Sequence, residues 1–252
     1  MPSSRLTNLA GLGAVVTGAA GGLGVGISTA LAGAGARVLM ADVDGDAARA
    51  AAERLGDDAL AAEVNVADEA SVLHLTETAA ELIGQVDVLV NCAGVLSVAP
   101  VLDLEWAEWN RVMSINAGGT FLCSKMFAAQ MVKRGGGAIV NIASIAGKRG
   151  DPTLAHYSAS KFAVVGFTQS LAQELAPHGV TVNAVCPGTV PTAMTAELAE
   201  RWGESVDAMA ARFQASSRPQ DPAEIGAAVV FLACMPSITG QALNVDGGSV
   251  FS

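Results

Sequence analysis

Several short runs in this chain carry apolar residues on every position, with no polar alternate face. Ala14-Val15-Val16-Thr17 and Asp87-Val88-Leu89-Val90-Asn91 are the clearest. A strand with one wet face alternates polar and apolar residues, so an uninterrupted run must be covered on both sides. Similar runs are expected as strands at Ala14–Thr17, Arg37–Ala41, Ala59–Val64, Val86–Val90, Ala138–Ile142, Val180–Val185 and Ala242–Val245. Between them lie longer stretches with helical spacing, at Gly22–Ala34, Gly45–Leu55, Glu69–Ile83, Leu104–Arg134, Ala155–Ala176 and Pro222–Cys234. Strand–helix alternation of this kind demands right-handed crossovers. The expected fold is therefore α/β, a doubly wound parallel sheet of about seven strands with helices on both faces.

No linker or repeat interrupts the pattern, and 252 residues suit one domain spanning 1–252. The span Thr192–Gln220 differs, with short helical pieces, several polar residues and no strand. It is expected to be a lid inserted before the last helix.

Composition excludes several classes. Hydrophobic residues make up 51% and charged residues 15%, which argues against disorder. The net charge of −10, with no basic stripe, argues against a nucleic-acid partner. Cys92, Cys123, Cys186 and Cys234 are far apart and form no CxxC pair, and His74, His156 and His178 are scattered. Reduced thiols, no metal site and a cytoplasmic setting are expected. The stretch between Arg5 and Arg37 carries no charge but holds nine glycines, which fits a strand, a tight turn and a helix better than a membrane span. It also lacks the arrangement of a secretory leader.

The first strand runs into Thr17-Gly18-Ala19-Ala20-Gly21-Gly22-Leu23-Gly24. Missing side chains there would let backbone approach a pyrophosphate, and a helix beginning near Gly22 would aim its free amides at that anion. A bland glycine loop is the competing explanation, weakened by the position between a strand and a helix. Asp42 closes the second strand, 18 residues after Gly24. A carboxylate there can accept hydrogen bonds from ribose hydroxyls and repels a 2′-phosphate. Asp44 nearby could instead be a plain turn aspartate. Asn91-Cys92-Ala93-Gly94 follows the fourth strand, and its small residues suit a flat contact with adenosine or ribose, or an ordinary turn.

Tyr157 is the single tyrosine and stands four residues before Lys161. On a helix the two share a face, and an ammonium beside a phenol favours phenolate. That pairing serves acid–base work on an alcohol. Ser144, past the strand Ala138–Ile142, could bond the same substrate oxygen. The surrounding YSASKFAVVGF argues for a buried helix. A serine-hydrolase reading fails, because no G-x-S-x-G elbow is present and no histidine is placed to partner Ser144.

With these residues in order, the sequence resembles the short-chain dehydrogenase/reductase family over essentially its whole length. TGAAGGLG is similar to that family's TGxxxGxG, NCAG to NNAG, YSASK to YxxxK, and CPGTVPT to the PGxxxT segment; the ending NVDGG is similar too. Asn116 sits where the family has its catalytic asparagine, and Ser144 precedes Tyr157 by 13 residues, as the family's Ser–Tyr pair does. The resemblance implies Asn116, Ser144, Tyr157 and Lys161 as the catalytic set. Tyr157 would be the acid/base, Ser144 would polarise the substrate oxygen, and Lys161 would hold the nicotinamide ribose and lower the phenol. Backbone near Asn116 would keep a water linking Lys161 to solvent. The cofactor contacts implied are Gly18, Gly22, Leu23, Gly24, Asp42, Val43, Asn65, Val66, Asn91, Ala93, Gly94, Pro187 and Gly188, with Val190 and Thr192 on the carboxamide. Tyr157 and Lys161 belong to this set as well. Two departures stand out: Cys92 replaces the second asparagine of NNAG, and Asn65-Val66 replaces Asp-Val.

The expected activity is hydride transfer between NAD and a secondary alcohol or ketone, with a polyol or diol among the substrates considered. A 3-oxoacyl carrier-protein reductase is the nearest rival, usually using NADPH; Asp42 and the uncharged Ala19-Ala20-Gly21 oppose it. A silent dinucleotide-binding regulator would be free to lose Ser144, Tyr157 or Lys161, and all three are present. A homotetramer is expected, because the helix around Tyr157 carries no charge between Lys161 and Glu174 and so needs a cover.

Overall fold

A computed structural model describes residues 8–251. Seven strands form one sheet in which every pairing is parallel, ordered β3-β2-β1-β4-β5-β6-β7. The strands are β1 Gly13–Thr17, β2 Arg37–Asp42, β3 Ala59–Glu63, β4 Val88–Asn91, β5 Gly137–Ile142, β6 Val180–Pro187 and β7 Ala242–Val245. The order reverses between β1 and β4. Connections diverge at that point and leave a crevice beyond the carboxyl ends of the strands, where ligands of such sheets bind.

The uninterrupted apolar runs have the physical reason their composition implied. Val16, Val38, Met40, Val90 and Val140 face one core with Ile27 and Leu31 of α1 (Gly22–Gly33), Ala51 of α2 (Gly45–Leu55) and Ile225, Val229 and Leu232 of a late helix, Pro222–Ala233. Their neighbours Val15, Leu39, Leu89 and Ile139 face the other core. That side is closed by Leu75 of α3 (Glu69–Leu82), Phe127 and Met131 of a central helix, and Leu175 of the helix carrying Tyr157.

The helix expected over Leu104–Arg134 is divided. Its pieces are α4 (Trp106–Met113), a wide turn with i→i+5 bonding at Ser114–Gly118, and α5 (Gly119–Arg134). Met113, Ser114, Gly118 and Gly119, on either side of the bulge, keep right-handed helical angles, so the helix continues while one turn bulges. Asn116 lies in the bulge. Its side-chain oxygen accepts from the Val95 amide at 2.8 Å and its nitrogen donates to the Val95 carbonyl at 2.9 Å. A helix period alone does not reveal such an insertion, which is frequent at functional sites. α6 (Ala155–Leu175) follows β5. After β6 come α7 (Ala193–Arg201), α8 (Val206–Phe213) and α9, the Pro222–Ala233 helix. The segment expected as a lid thus consists of α7, α8 and their flanks. It returns to its own starting point, since Thr189 donates its amide to Gln214 Oε1 at 2.7 Å and its carbonyl accepts the Gln220 amide at 2.8 Å.

Candidate active site

The carboxyl ends of β1, β2, β4, β5 and β6 border a cavity of about 530 Å³ at the crevice. Its floor is the glycine turn. Gly18 has φ +67°, and a Cβ there would stand 2.6 Å from the Ala93 Cα. A Cβ on Gly24 would stand 2.2 Å from the Gly18 carbonyl oxygen. No side chain caps α1 at Gly21, so the amides of its first turn stay available to an anion. Thr17 Oγ1 accepts the amides of Cys92 and Ala93 at 3.2 and 3.3 Å, which locks the β4 turn against the β1 turn.

Asp42 ends β2 beside this turn. One carboxylate oxygen accepts the Ala20 amide at 2.9 Å and the other the Asp44 amide at 3.2 Å. Asp44 is the turn residue that caps α2, accepting from Ala47 at 2.9 Å. Asp42 and Val43 line the cavity, as do Asn65 and Val66 after β3, and a hydroxyl pair meeting Asp42 would donate to its remaining lone pairs.

Ser144, Tyr157 and Lys161 meet at the far side of the same cavity. Ser144 caps the short turn Ile145–Gly147 by accepting the Ala146 amide at 3.1 Å. Tyr157 and Lys161, one turn apart on α6, are both buried, and the Lys161 Nζ stands 5.7 Å from the centre of the Tyr157 ring. Burial pushes the Tyr157 phenol above its ordinary range, and a hydrogen bond with Ser144 offsets only part of this. Burial also holds the Lys161 ammonium down at about 8. The lowered phenol expected from the lysine is therefore not what the protein alone displays. Lys161 donates to the Ile142 carbonyl at 2.9 Å, and desolvation is the largest influence on the phenol.

Of the residues expected at the site, Gly18, Gly22, Leu23, Gly24, Asp42, Val43, Asn65, Val66, Ala93, Gly94, Ser144, Tyr157, Lys161, Pro187, Gly188, Val190 and Thr192 all border the cavity. Asn91 and Asn116 do not. Asn91 turns inward beneath the sheet's end and donates to Ser124 Oγ at 2.9 Å and Asn141 Oδ1 at 2.8 Å, so it braces β4 against β5 and α5. The Asn116 side chain clamps Val95 and donates to Ser160 Oγ at 2.9 Å, while its carbonyl accepts from Thr120 Oγ1 at 2.8 Å. Thr192 caps α7 and accepts the Thr195 amide at 3.3 Å, with its methyl group toward Gly22.

A second cleft opens from Ser144 and Tyr157 toward α7 and α8. Leu154, Leu198 and Met209 pack there with Leu96, Trp202 and Phe213. Met194, Leu198 and Trp202 from the span after Thr192 line this cleft with Leu96 and Leu154, whereas Val95 lines the larger cavity. Sequence reading does not find Met209, Phe213, Arg149 or Asp151. The charged Lys148-Arg149-Gly150-Asp151 stretch, directly after the Ser144 turn, was the available signal for the last two.

A parallel sheet with a glycine turn at its switch point and a Ser–Tyr–Lys group across the cavity defines a nucleotide-binding oxidoreductase of the Rossmann type. Comparison with known proteins is specific. The short chain dehydrogenase family profile matches residues 13–202. A 3-oxoacyl-acyl-carrier-protein reductase of Synechocystis sp. is 41% identical over 179 residues, covering 70% of each chain. An L-2,3-butanediol dehydrogenase of Corynebacterium glutamicum is 40% identical over 189 residues, covering 70% of this chain and 72% of the other. The solved structure of gox2181 superposes with a TM-score of 0.92 at 34% identity, covering 98% of both chains. This chain belongs to the short-chain dehydrogenase family. Oxidoreductase chemistry with a nicotinamide dinucleotide follows from that membership.

Proposed function

We propose that this protein is an NAD-dependent dehydrogenase of secondary alcohols, with diols or polyols as its substrate class. The observation that carries the reading is the shared cavity, which has Asp42 at one end and Ser144, Tyr157 and Lys161 at the other. The residues fit the cofactor: Gly18 and Gly24 leave backbone where a side chain would collide, and uncapped amides of α1 face the place of a pyrophosphate. Held there, a nicotinamide would supply the acceptor or donor for the hydride of the alcohol carbon.

The chain's own residues do the rest. Ser144 holds the substrate oxygen. Tyr157 takes its proton as an alcohol is oxidised, or gives one as a ketone is reduced. Lys161 binds the ribose and stabilises the phenolate. Asn116 acts through its neighbours by fixing the Val95 backbone beside Lys161. Val190 and Thr192 hold the carboxamide. Asp42 accepts ribose hydroxyls and disfavours a 2′-phosphate. Residues 192–220 form a lid on this one domain.

A second reading, reduction of a 3-oxoacyl carrier-protein thioester, is supported by the Synechocystis relative. NADPH, the usual reductant there, fits poorly with Asp42 and an uncharged turn. Apolar surface on α5 and α6 favours a homotetramer, and a cytoplasmic setting accompanies the free thiols. No helix among the described residues is long and apolar enough to cross a membrane, and no cluster of three or more His, Cys, Asp or Glu forms a metal site among them.

A panel of secondary alcohols, polyols and hydroxyacyl thioesters, followed by NADH absorbance, tests the proposal. Turnover of alcohols with NAD is expected. Turnover confined to thioesters with NADPH would favour the second reading.

A further inference from the structure

The cleft beyond Tyr157 is lined by apolar or uncharged residues except for one pair, Arg149 and Asp151. Arg149 Nε lies 3.7 Å from Asp151 Oδ1, outside hydrogen-bond reach. The Arg149 guanidinium also stacks 5.2 Å above the Phe213 ring of the lid. Among the described residues it makes no hydrogen bond, and its Nε is buried without any partner. The Asp151 carboxylate, mostly buried, accepts no hydrogen bond either. Both groups therefore keep unused hydrogen-bonding capacity while facing one cleft.

A purely structural ion pair accounts poorly for this. Such pairs gain little at a partly exposed site unless their geometry is good, and this one has no direct bond. Loop residues usually spend carboxylate and guanidinium oxygens and nitrogens on nearby backbone, and these two do not. The charges instead look outward, one donor and one acceptor, over apolar walls made by Leu154, Leu198 and Trp202.

The charge balance selects the ligand. A substrate carboxylate would satisfy Arg149 but set an anion against Asp151. A substrate ammonium would do the reverse. A hydroxyl accepts from the guanidinium and donates to the carboxylate at once, with no net charge to desolvate. We infer that Arg149 and Asp151 form a specificity pair that binds a second hydroxyl of a neutral substrate while Ser144 and Tyr157 hold the reacting one. The substrate is then a diol or polyol whose two hydroxyls are separated by an apolar segment. The inference rests on the reading of the Ser144–Tyr157 end as an alcohol site. Phe213, stacked on Arg149, makes the pair sensitive to the position of the lid.

The test uses three alcohols of one length: 2-hexanol, hexane-1,5-diol and 5-hydroxyhexanoate. Wild-type kcat/KM with NAD is expected to favour the diol over 2-hexanol by roughly tenfold to a hundredfold, the worth of hydrogen bonds to charged groups. In Arg149→Met, which keeps an unbranched side chain beside Phe213 without the charge or the donors, and in Asp151→Asn, the diol-to-alkanol ratio should fall toward one. Binding of the same three compounds to the NAD complex of Tyr157→Phe, followed by calorimetry, should rank them identically without any turnover. That second readout separates the two ideas: if the variant binds the diol selectively while the wild type oxidises none of the three, the pair stays in place and the reading of the Ser144–Tyr157 end as an alcohol site falls. Equal binding of 2-hexanol and the diol would overturn the inference. So would a preference for 5-hydroxyhexanoate that grows in Asp151→Asn, since the pair would then be an anion site.

Discussion

The Asp42 carboxylate accepts the Ala20 amide at 2.9 Å, which ties the end of β2 to the glycine turn after β1. The group that would read the ribose also shapes the floor on which the pyrophosphate would lie. Loss of Asp42 should consequently affect more than the choice between two cofactors. In the wild type we expect kcat/KM with NAD to exceed that with NADP by at least about tenfold, since a lost bond to a charged group together with repulsion exceeds roughly 1.4 kcal/mol. Asp42→Ala should narrow this ratio and also weaken NAD itself, because Ala20 loses its acceptor. Steady-state kinetics with both cofactors measures each effect. Equal efficiency in the wild type would remove Asp42 from the ribose.

Tyr157→Phe should lower turnover by roughly 10² to 10⁴-fold. Its ring can stay where it is packed against Leu154 and Leu198, so NAD binding should change little. Cofactor titration beside an activity assay reads both halves. A substantial residual rate would move the acid–base role to another group.

Gly147 carries a subtler expectation. A Cβ there would stand 2.7 Å from the Lys161 carbonyl oxygen, within the backbone of α6. The Ser144 turn can therefore lie against the Tyr157 helix only if position 147 has no side chain. Gly147→Ala should push Ser144 away from the phenol, lowering kcat more than it lowers NAD affinity. Unchanged kcat would show that the turn adapts without moving Ser144.

These particulars also show what the sequence made legible. Apolar runs such as Val15-Val16 and Leu89-Val90 identify a two-sided sheet because each neighbour must be buried on an opposite face. Motif spacing then placed Ser144, Tyr157 and Lys161 on one cavity. The orientation of Asn91 and Asn116 was not legible, since whether an asparagine turns into a cavity or into a buried network depends on partners far away in sequence, here Asn141, Ser124, Ser160 and Val95. The bulge at Ser114–Gly118 was hidden for a related reason: its ends keep helical angles, and the clamp of Asn116 on Val95 is made to a residue far away in sequence. Burial of Tyr157 likewise reversed the expected direction for the phenol, because a pairwise argument from spacing carries no desolvation.

The buried Lys161 gives a pH-dependent signature. Its folded value of about 8 lies below the 10.5 of an unperturbed lysine. Between those values the unfolded chain holds a proton that the folded chain has lost, so this residue makes stability rise with pH through that window. Below about 8 both states are charged and its contribution to the slope vanishes. Cys92 and Cys123, pushed up to about 12 by burial, act oppositely above about 9, so the comparison must be with a variant rather than with a flat baseline. The stability of wild type minus that of Lys161→Met should increase from pH 8 toward 10.5, by about 3 kcal/mol over the full range. Denaturant unfolding of both proteins at several pH values, in reducing buffer, gives the difference. A pH-independent difference would mean that Lys161 keeps an ordinary pKa in the fold.

The outer faces of α5 and α6 lead to the last expectation. Phe121 and Phe162 are 45% and 48% exposed, and Phe121 meets Phe167 edge-on with centroids 6.0 Å apart. Ala163 and Gly166 lie exposed on the same helix, and nothing stands within 4 Å of a Cβ built on Gly166, so a partner could approach its backbone closely. An aromatic pair beside small residues on two adjacent helices is apolar surface that a monomer leaves in water, and a two-fold axis would let both helices pack on their own copies. The chain's end supplies a second such surface, with Phe251 89% exposed and Leu243 on the outermost strand β7. Two distinct self-complementary surfaces build a tetramer where one builds a dimer. Light scattering should therefore give a mass near four times the 25.3 kDa of one chain. Phe162→Glu places a charge in the first surface and should leave dimers held by the second, with the thermal transition lowered to match. A wild-type mass of one chain would refute assembly outright, and a wild-type dimer already sensitive to Phe162→Glu would assign the single interface to α5 and α6 and leave the chain's end free.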